Sequence, residues 1–458
     1  MSQAKRPMNV LFLFPDQWRW DYLGCEPGGY GGPPAPVSTP NIDRLAARGT
    51  MFHQCRVNSP VCAPSRACLV QGVRYDRCGV PSNAVNTDES RPTYMKRLRD
   101  AGYHVAGSGK FDLFKPEFFR GLEGWTDRLG AIGFTEARNQ SGKIDCARNG
   151  WPEPQDLYSA HLHRLGLMET HAEDYKARAA GGPHGYFTSA WPTPLPAEHY
   201  TDDFCGRMAE ELLRGFEKDR PWHLWVNFPG PHSPLDPTAG RLAQFDGVEF
   251  PEVVEGEAGI DHQACRRAYA ACCLGIDEWV GRLVDAVERR GELDRTLIVF
   301  ASDHGEMLGD HGRWGKSVPR DPSVRVPLIV AGPGVPAGGH REHLVELIDL
   351  AATFTHAAGV EPVEGWEARS LWPIISDAAA AHRQVQVSGL GDWRSIVDGR
   401  HKLLLQRGGD AELYDLEADP AERVNLALDP ARASTVARLR DALRQEIGAE
   451  PLEALAAG

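Results

Sequence analysis

The chain has 458 residues, a length that favours a large domain plus a smaller one over a single compact core. Its hydrophobic content of 42% and its charged content of 25% are ordinary for a globular protein that folds in water. The net charge of −13 argues against nucleic acid and anionic membranes as partners, because an acidic surface repels both. An anionic ligand must therefore be attracted by a local cluster of positive side chains.

The first apolar run covers residues 9–14 and follows a short polar lead. It is too short for an export signal and is better explained as a buried strand. No segment of the sequence approaches the ~20 apolar residues that a membrane span needs. Ten cysteines without an export signal favour reduced thiols, so we predict a cytoplasmic protein that does not bind membranes.

Apolar runs alternate with amphipathic segments along the chain, which is typical of an α/β sheet flanked by helices. The predicted strands are 10–14, 103–107, 223–228, 297–302 and 326–331. The predicted helices are 41–48, 93–100, 202–218, 262–290 and 349–358. The helix at 202 has a clear start, since Thr201 can serve as its N-cap and two aspartates occupy its first turn.

Residues 125–200 differ from the segments around them because they are rich in Trp, Pro, Gly and His and show weak periodicity. We expect them to form a long excursion over one edge of the sheet. Such segments often carry specificity when a scaffold is shared, and an excursion with only a surface role explains the pattern equally well.

The character changes again at residue 388, and we expect two domains, with an α/β catalytic domain at 1–387 and a small sheet with a helix at 388–458. An Asp398-Gly399 turn between two β-prone runs predicts a hairpin. Another strand is predicted at 412–416. A helix is predicted at 429–447, with Asp429 as its N-cap and Pro430 at its first position.

Polar side chains follow two of the predicted strands. Asp16 and Gln17 come after the first strand, and Asp303 and His304 come after the strand at 297. Ligands in α/β proteins bind at the carboxyl ends of parallel strands, where these side chains can meet. Either pair alone is also typical of a turn with a helix cap, so their joint occurrence carries the argument.

The most informative motif is Cys62-Ala63-Pro64-Ser65-Arg66. A cysteine followed two residues later by proline and four later by arginine is the pattern that sulfatase-maturing enzymes oxidise to formylglycine. Pro64 suits the first turn of a helix, because its missing N–H would be unpaired there. Residue 62 would then lie at a helix N-terminus, where free N–H groups favour an anionic ligand.

With its neighbouring segments at 38–45, 58–61 and 67–72, the motif resembles the signature of the type I, formylglycine-dependent sulfatases of the alkaline phosphatase superfamily. The run Leu413-Tyr414-Asp415-Leu416 resembles part of their C-terminal sheet, so the resemblance covers residues 9 to about 427. It implies an alkaline-phosphatase-like mixed α/β sheet flanked by helices, with a small C-terminal antiparallel sheet and helix.

The resemblance also implies one divalent metal ion, with the following ligands: Asp16, Gln17, residue 62, Asp303 and His304. The Asp16-Gln17 pair replaces two consecutive aspartates of the commonest pattern and resembles the choline sulfatase and phosphonate monoester hydrolase subgroup. Oxygen ligands suit Ca²⁺, whereas an added imidazole favours Mn²⁺, so both ions remain candidates.

Five further side chains receive roles from the resemblance. Arg66 would hold the aldehyde hydrate at residue 62 and a nearby carboxylate, and Lys110 would bind the transferred group. Asp112 replaces a family histidine and could accept a proton from the hydrate. His232 and Lys316 would bind sulfate oxygens and protonate the leaving oxygen.

These features predict a sulfatase that hydrolyses a sulfate monoester through formylglycine at residue 62. A phosphonate monoester or phosphodiester hydrolase could use the same residues and is the alternative. A binding protein in which Cys62 stays a thiol is a third explanation. The implied partners are a small anionic sulfate ester and a formylglycine-generating or sulfatase-maturing enzyme, and a homo-oligomer is left open.

Overall fold

The structure is a computed structural model and describes residues 7–456. Its strands, in chain order, are β1 (Asn9–Leu13), β2 (Gly49–Phe52), β3 (Cys55–Arg56), β4 (His104–Gly109), β5 (Glu136–Asn139), β6 (Trp222–Asn227), β7 (Thr296–Ala301), β8 (Leu328–Ala331), β9 (Gly339–Arg341), β10 (Val345–Glu346), β11 (Gln386–Leu390), β12 (Trp393–Val397), β13 (His401–Gln406) and β14 (Glu412–Asp415).

The α-helices, again in chain order, are α1 (Pro40–Ala47), α2 (Cys62–Gln71), α3 (Tyr75–Cys78), α4 (Tyr94–Asp100), α5 (Asp127–Ile132), α6 (Lys143–Asn149), α7 (Leu157–Arg164), α8 (Met168–Ala180), α9 (Thr201–Gly215), α10 (Ala239–Leu242), α11 (His262–Arg289), α12 (Asp321–Val324), α13 (Asp349–Ala357), α14 (Trp372–Ser376), α15 (Ala433–Ile447) and α16 (Glu450–Ala456). None of the helices within residues 7–456 is long and apolar enough to cross a membrane.

The large sheet has eight strands in the order β5-β4-β6-β1-β7-β8-β2-β9. Strands β5, β4, β6, β1 and β7 are parallel to one another, whereas β8 is antiparallel to both β7 and β2. The sheet is therefore mixed, as predicted. All five predicted strands and all five predicted helices are present, with ends shifted by a few residues.

The core lies on both faces of the sheet because alternate residues of each strand point to opposite sides. In β1, Val10 and Phe12 pack with α4 and α13, while Leu11 and Leu13 pack with α9 and α11. This arrangement explains why the central strands read as continuous apolar runs.

Residues 125–200 contain helices α5 to α8 as well as β5, although the sequence of this segment shows only weak periodicity. The buried positions of α8 are Met168, His171, Tyr175 and Arg178, which follow a helical spacing. Two of them are polar, so a search for apolar periodicity misses the helix. The expected place at one edge of the sheet is correct, since β5 is an edge strand.

Two predicted helix starts differ in detail. Helix α9 begins at Thr201 with Tyr200 as its N-cap, and the Thr201 hydroxyl accepts a hydrogen bond from Gln140 Nε2 at 2.8 Å instead of capping the helix. Asp429 does cap, because its carboxylate accepts from the Ala431 N–H at 2.9 Å. That cap begins a short 3-10 helix, and α15 follows from Ala433.

The C-terminal region forms the four-stranded antiparallel sheet β11-β12-β13-β14, and the predicted hairpin joins β12 to β13. Its contact with the large domain includes buried charges, since Lys402 Nζ lies 2.7 Å from both an Asp321 and a Glu422 carboxylate oxygen. The division of the chain at residue 387 remains a prediction.

The cysteines other than Cys62 were expected to be small buried residues. Eight of these nine are buried, and Cys25 is partly exposed. All ten cysteines of the chain are free thiols in the structure.

Candidate active site

The two polar pairs predicted from the strand ends lie side by side. Strands β1 and β7 are adjacent and parallel, with Leu13 opposite Phe300, so Asp16 and Asp303 leave the sheet at the same edge. The Gln17 N–H donates to Asp303 Oδ1 at 3.0 Å and joins the two strand ends directly.

Four predicted metal ligands meet at this edge. One ligand atom from each member of the set lies within 4.8 Å of all the others, and all four residues are buried: Asp16, Cys62, Asp303 and His304. The set joins three distant parts of the chain.

Cys62 is the first residue of α2, so the thiol lies at the helix N-terminus as predicted. Its Sγ is 3.2 Å from His304 Nε2. The Ser65 hydroxyl, one turn along, donates to the Asp303 carbonyl oxygen at 2.6 Å and attaches the start of α2 to the end of β7. The motif thus fixes residue 62 against the metal-ligand candidates.

The Cys62 thiol is surrounded by positive groups. Lys316 Nζ is 3.4 Å and Lys110 Nζ is 3.6 Å from its Sγ. Burial and then Asp16 raise the pKa of the thiol, but Lys110, Lys316 and His304 outweigh them and lower it to about 6. The site therefore stabilises a negative charge at position 62.

Arg66 is completely buried and binds both strand ends. Its Nε lies 2.9 Å from Asp303 Oδ2, and an Nη lies 3.3 Å from Asp16 Oδ2. The other Nη donates to the Asn227 side-chain oxygen at 2.7 Å and to the Lys110 carbonyl oxygen at 2.5 Å. One guanidinium group therefore connects the ends of β1, β4, β6 and β7.

Gln17 has a fixed amide orientation. Its Nε2 donates to Glu306, whose other carboxylate oxygen accepts from the Gly315 N–H at 2.6 Å. Gln17 Oε1 consequently faces the site, where it accepts from Lys316 Nζ at 2.6 Å. Glu306 stands two residues after His304, but no pattern in the sequence indicates that it orients Gln17.

Asp112 is buried beside Lys110 and beside two further cations that the sequence did not place in the site. Its carboxylate lies 3.3 Å from Lys110 Nζ, 2.7 Å from Lys115 Nζ and 3.7 Å from an Arg120 nitrogen. Burial raises the pKa of Asp112, but these three cations outweigh it and hold the pKa well below its usual range. The surroundings of Asp112 therefore favour its ionised form.

His232 and Lys316 form a pair at the open side of the site. Lys316 Nζ donates to His232 Nε2 at 2.7 Å, and His232 Nδ1 lies 2.7 Å from the Ser233 carbonyl oxygen. Burial and then Lys316 hold the pKa of His232 well below its usual range, which favours the neutral imidazole. The Asp16 N–H donates to the Gly230 carbonyl at 3.0 Å and ties this loop to β1.

The mixed sheet, the cysteine at a helix N-terminus and the carboxylates beside it together define a hydrolase site for a tetrahedral anion. Two family models match the chain, the model described as "Sulfatase" at residues 8–360 and the model described as "N-sulphoglucosamine sulphohydrolase, C-terminal" at residues 309–448. The chain belongs to the sulfatase family. The resemblance inferred from the motifs is confirmed, and so is the enzyme class, that of the sulfuric ester hydrolases.

Similar proteins cover nearly the whole chain. A choline-sulfatase of Rhizobium meliloti is 31% identical over 92% of this chain and 83% of its own length. An arylsulfatase of Clostridium perfringens is 26% identical over 96% and 94%. The crystal structure of a phosphonate monoester hydrolase of Agrobacterium radiobacter shares the fold with a TM-score of 0.79, at 24% identity over 97% and 96%.

The position of Arg66 leads to a stability prediction. Replacing Arg66 by Met leaves the buried carboxylates of Asp16 and Asp303 without their shared partner, so the free energy of unfolding should fall by about 3–5 kcal/mol. Urea unfolding in the presence of a chelator measures this. The exposed Arg423→Met variant is the control and should change stability by no more than about 0.5 kcal/mol. An Arg66→Met protein as stable as the parent would contradict the central role of this guanidinium.

Proposed function

We propose that this protein is a sulfatase that hydrolyses a sulfate monoester with residue 62 in its formylglycine form. The observation that carries the proposal is the place of Cys62 at the start of α2, with Lys110 and Lys316 within 3.6 Å of its Sγ. A nucleophile between two ammonium groups and a helix N-terminus suits attack on a sulfuryl group, whose oxygens are negatively charged.

The residues present fit one divalent metal ion. Asp16 and Asp303 are buried close together. Burial and then Asp16 raise the pKa of Asp303, and a bound cation would oppose this rise by stabilising the ionised carboxylate. His304, residue 62 and the Gln17 amide oxygen would complete the ligand set. When bound, the ion would neutralise sulfuryl oxygens and lower the pKa of a hydroxyl group at residue 62. Ca²⁺ and Mn²⁺ both suit this mixture of oxygen and nitrogen ligands.

The chain's own groups divide the remaining work. Residue 62, carrying two hydroxyl groups on one carbon, attacks sulfur in line with the leaving oxygen. Lys110 and Lys316 hold the sulfuryl oxygens, and the proton shared by Lys316 and His232 passes to the departing oxygen. The second hydroxyl of residue 62 then gives its proton to the Lys316–His232 pair, which has given its own to the leaving oxygen. The bond between the carbon and the sulfate oxygen breaks, sulfate departs and the aldehyde is restored, and water adds to the aldehyde to form the two hydroxyl groups again.

Asp112 was predicted as a base for that last proton. Its three cationic neighbours favour the ionised form so strongly that it would hold a proton poorly. We therefore propose that Asp112 mainly orients Lys110, which lies between Asp112 and Asp16.

A phosphonate monoester or phosphodiester hydrolase is the second candidate. It is supported by the Gln17 and His304 pattern and by the amide oxygen of Gln17 facing the site. The same cations would stabilise a phosphoryl group. A cytoplasmic location, a maturing enzyme as partner, the two-domain division and a homo-oligomer also stay predictions.

Parallel assays separate the two candidates. We expect kcat/KM for 4-nitrophenyl sulfate to exceed kcat/KM for a phenyl phosphonate 4-nitrophenyl ester, measured on the same preparation. The Cys62→Ala variant is the control and should lose both activities. A much larger kcat/KM on the phosphonate ester would reject the sulfatase in favour of the second candidate.

Mass spectrometry tests the chemistry at residue 62. In active protein produced with a maturing enzyme, the peptide that contains residue 62 should carry formylglycine rather than cysteine, and the peptides with Cys68 and Cys78 should stay unmodified. Full activity with only cysteine at position 62 would defeat the proposed mechanism.

Metal removal tests the ligand set. Chelation should abolish activity and lower the thermal unfolding midpoint, and added Ca²⁺ or Mn²⁺ should restore both, because an ion that binds only the folded state stabilises it. The Gln17→Ala variant should need about 10-fold or more metal for the same shift if Gln17 is a ligand. An unfolding midpoint that ignores chelator and metal would contradict the site.

A further inference from the structure

Helix α6 lies within residues 125–200 and contacts two parts of the active site. We propose that its first turn is a positioning element for the reaction, with Lys143 holding the loop of His232 and Gly142 fitting against Lys110. This inference rests on the proposed function, since it takes His232 and Lys110 to act on the substrate.

Lys143 reaches the His232 loop with a completely buried ammonium group. Its Nζ donates to Asp236 Oδ1 at 2.7 Å and to the Pro234 carbonyl oxygen at 3.2 Å. Pro234 and Asp236 stand two and four residues after His232. The lysine therefore binds both the backbone and a side chain of the loop just beyond the imidazole.

Both ends of this loop are anchored. The Tyr175 and Tyr200 hydroxyls also donate to the Asp236 carboxylate, at 2.6 and 2.9 Å. At the other end, Asp202 Oδ1 accepts from the Gly230 N–H at 2.8 Å. Complete burial of a charged group costs free energy unless an opposite charge lies beside it. The buried carboxylate of Asp236 therefore depends on the Lys143 ammonium group to remain ionised in this position. Loss of Lys143 would leave the Asp236 end of the loop to the two tyrosine hydroxyls, without the cation that now balances its charge.

Gly142 gives the second contact. A Cβ at this position would lie 2.9 Å from Lys110 Cε and 3.3 Å from its Nζ, so only glycine leaves room for the lysine in its present position. The backbone of Gly142 has an ordinary φ of −65°, which means that space and not conformation requires the glycine. From the same helix, Asp145 binds Lys115 at 2.9 Å, and Lys115 binds Asp112.

The two contacts reach groups with different roles in the proposed reaction. Lys110 holds a sulfuryl oxygen, whereas His232 with Lys316 protonates the leaving oxygen. The loss of kcat/KM in a Lys143 variant should therefore depend on how much protonation the leaving group needs. The loss of kcat/KM in a Gly142 variant should not depend on it. Loss of general fold stability would affect all substrates alike, so for Lys143 the leaving group separates positioning from a structural role. For Gly142 the separation comes from the thermal unfolding midpoint, which should stay unchanged while activity falls.

The experiment compares kcat/KM for phenyl sulfate, a poor leaving group, with kcat/KM for 4-nitrophenyl sulfate, a good one. We expect Lys143→Met to lower the phenyl sulfate value by about 10-fold more than the 4-nitrophenyl sulfate value, in the same direction as His232→Asn. Lys143→Arg should restore part of the difference. Gly142→Ala should lower both values by a similar factor of about 10.

Matched variants provide the controls. Lys176→Met removes an exposed lysine from the same segment, where the side chain is 78% exposed, and should leave both values unchanged. Gly215→Ala adds a methyl group where no atom lies within 4 Å, and it should also be silent. Thermal unfolding verifies that each variant is folded. If Lys143→Met does not fold, the Lys143→Met/Asp236→Asn pair removes both buried charges together.

Equal losses on both substrates in Lys143→Met would overturn the positioning role of Lys143, and an unchanged Gly142→Ala enzyme would overturn that of Gly142. If His232→Asn shows the leaving-group effect and the folded Lys143 variants do not, this inference is wrong while the proposed function still stands. A parent enzyme without sulfatase activity defeats the proposed function and this inference with it.

Discussion

The contact between Arg66 and the two carboxylates at the ends of β1 and β7 is the constraint on which the site depends. The carboxylates of Asp16 and Asp303 are fully buried, and two such charges beside each other would be unstable without a cation. Because the same guanidinium also binds Asn227 and the Lys110 backbone, it sets the spacing of four strand ends. Residue 62, one helical turn before Arg66, takes its position from that arrangement.

In the rest of the site, buried lysines are paired with buried carboxylates, within a protein whose net charge is negative. Lys110 lies between Asp16 and Asp112, and Lys115 shares the Asp112 carboxylate. The positive groups that face residue 62 are therefore held by buried anions rather than left free. When a substrate anion binds, the lysines exchange their carboxylate partners for its oxygens. Because the lysines can return to those carboxylates, this arrangement suits a site that must also release sulfate.

The sequence could predict the strands and their polar ends because apolar runs and the motif at Cys62 are local signals. It could not predict the cations around Asp112, since Arg120 follows in a loop whose pattern gives no direction for its side chain. It also missed helix α8, where the buried face includes His171 and Arg178, so polarity hid a regular helical spacing. The orientation of the Gln17 amide depends on Glu306, a partner 289 residues away in the chain.

The burial of residue 62 has a consequence for the order of events during synthesis. Cys62 is 1% exposed in the folded chain, so an enzyme that oxidised this thiol, as proposed above, would have to act before the fold closes. The loop of Lys316 runs into α12, where the Asp321 N–H donates to Glu422 at 2.8 Å, about 360 residues after the cysteine. At roughly 5–20 residues per second, that distance corresponds to about 20–70 s of translation. Under the proposed mechanism, the late synthesis of the C-terminal sheet would give a maturing enzyme this period in which to act on the incomplete chain.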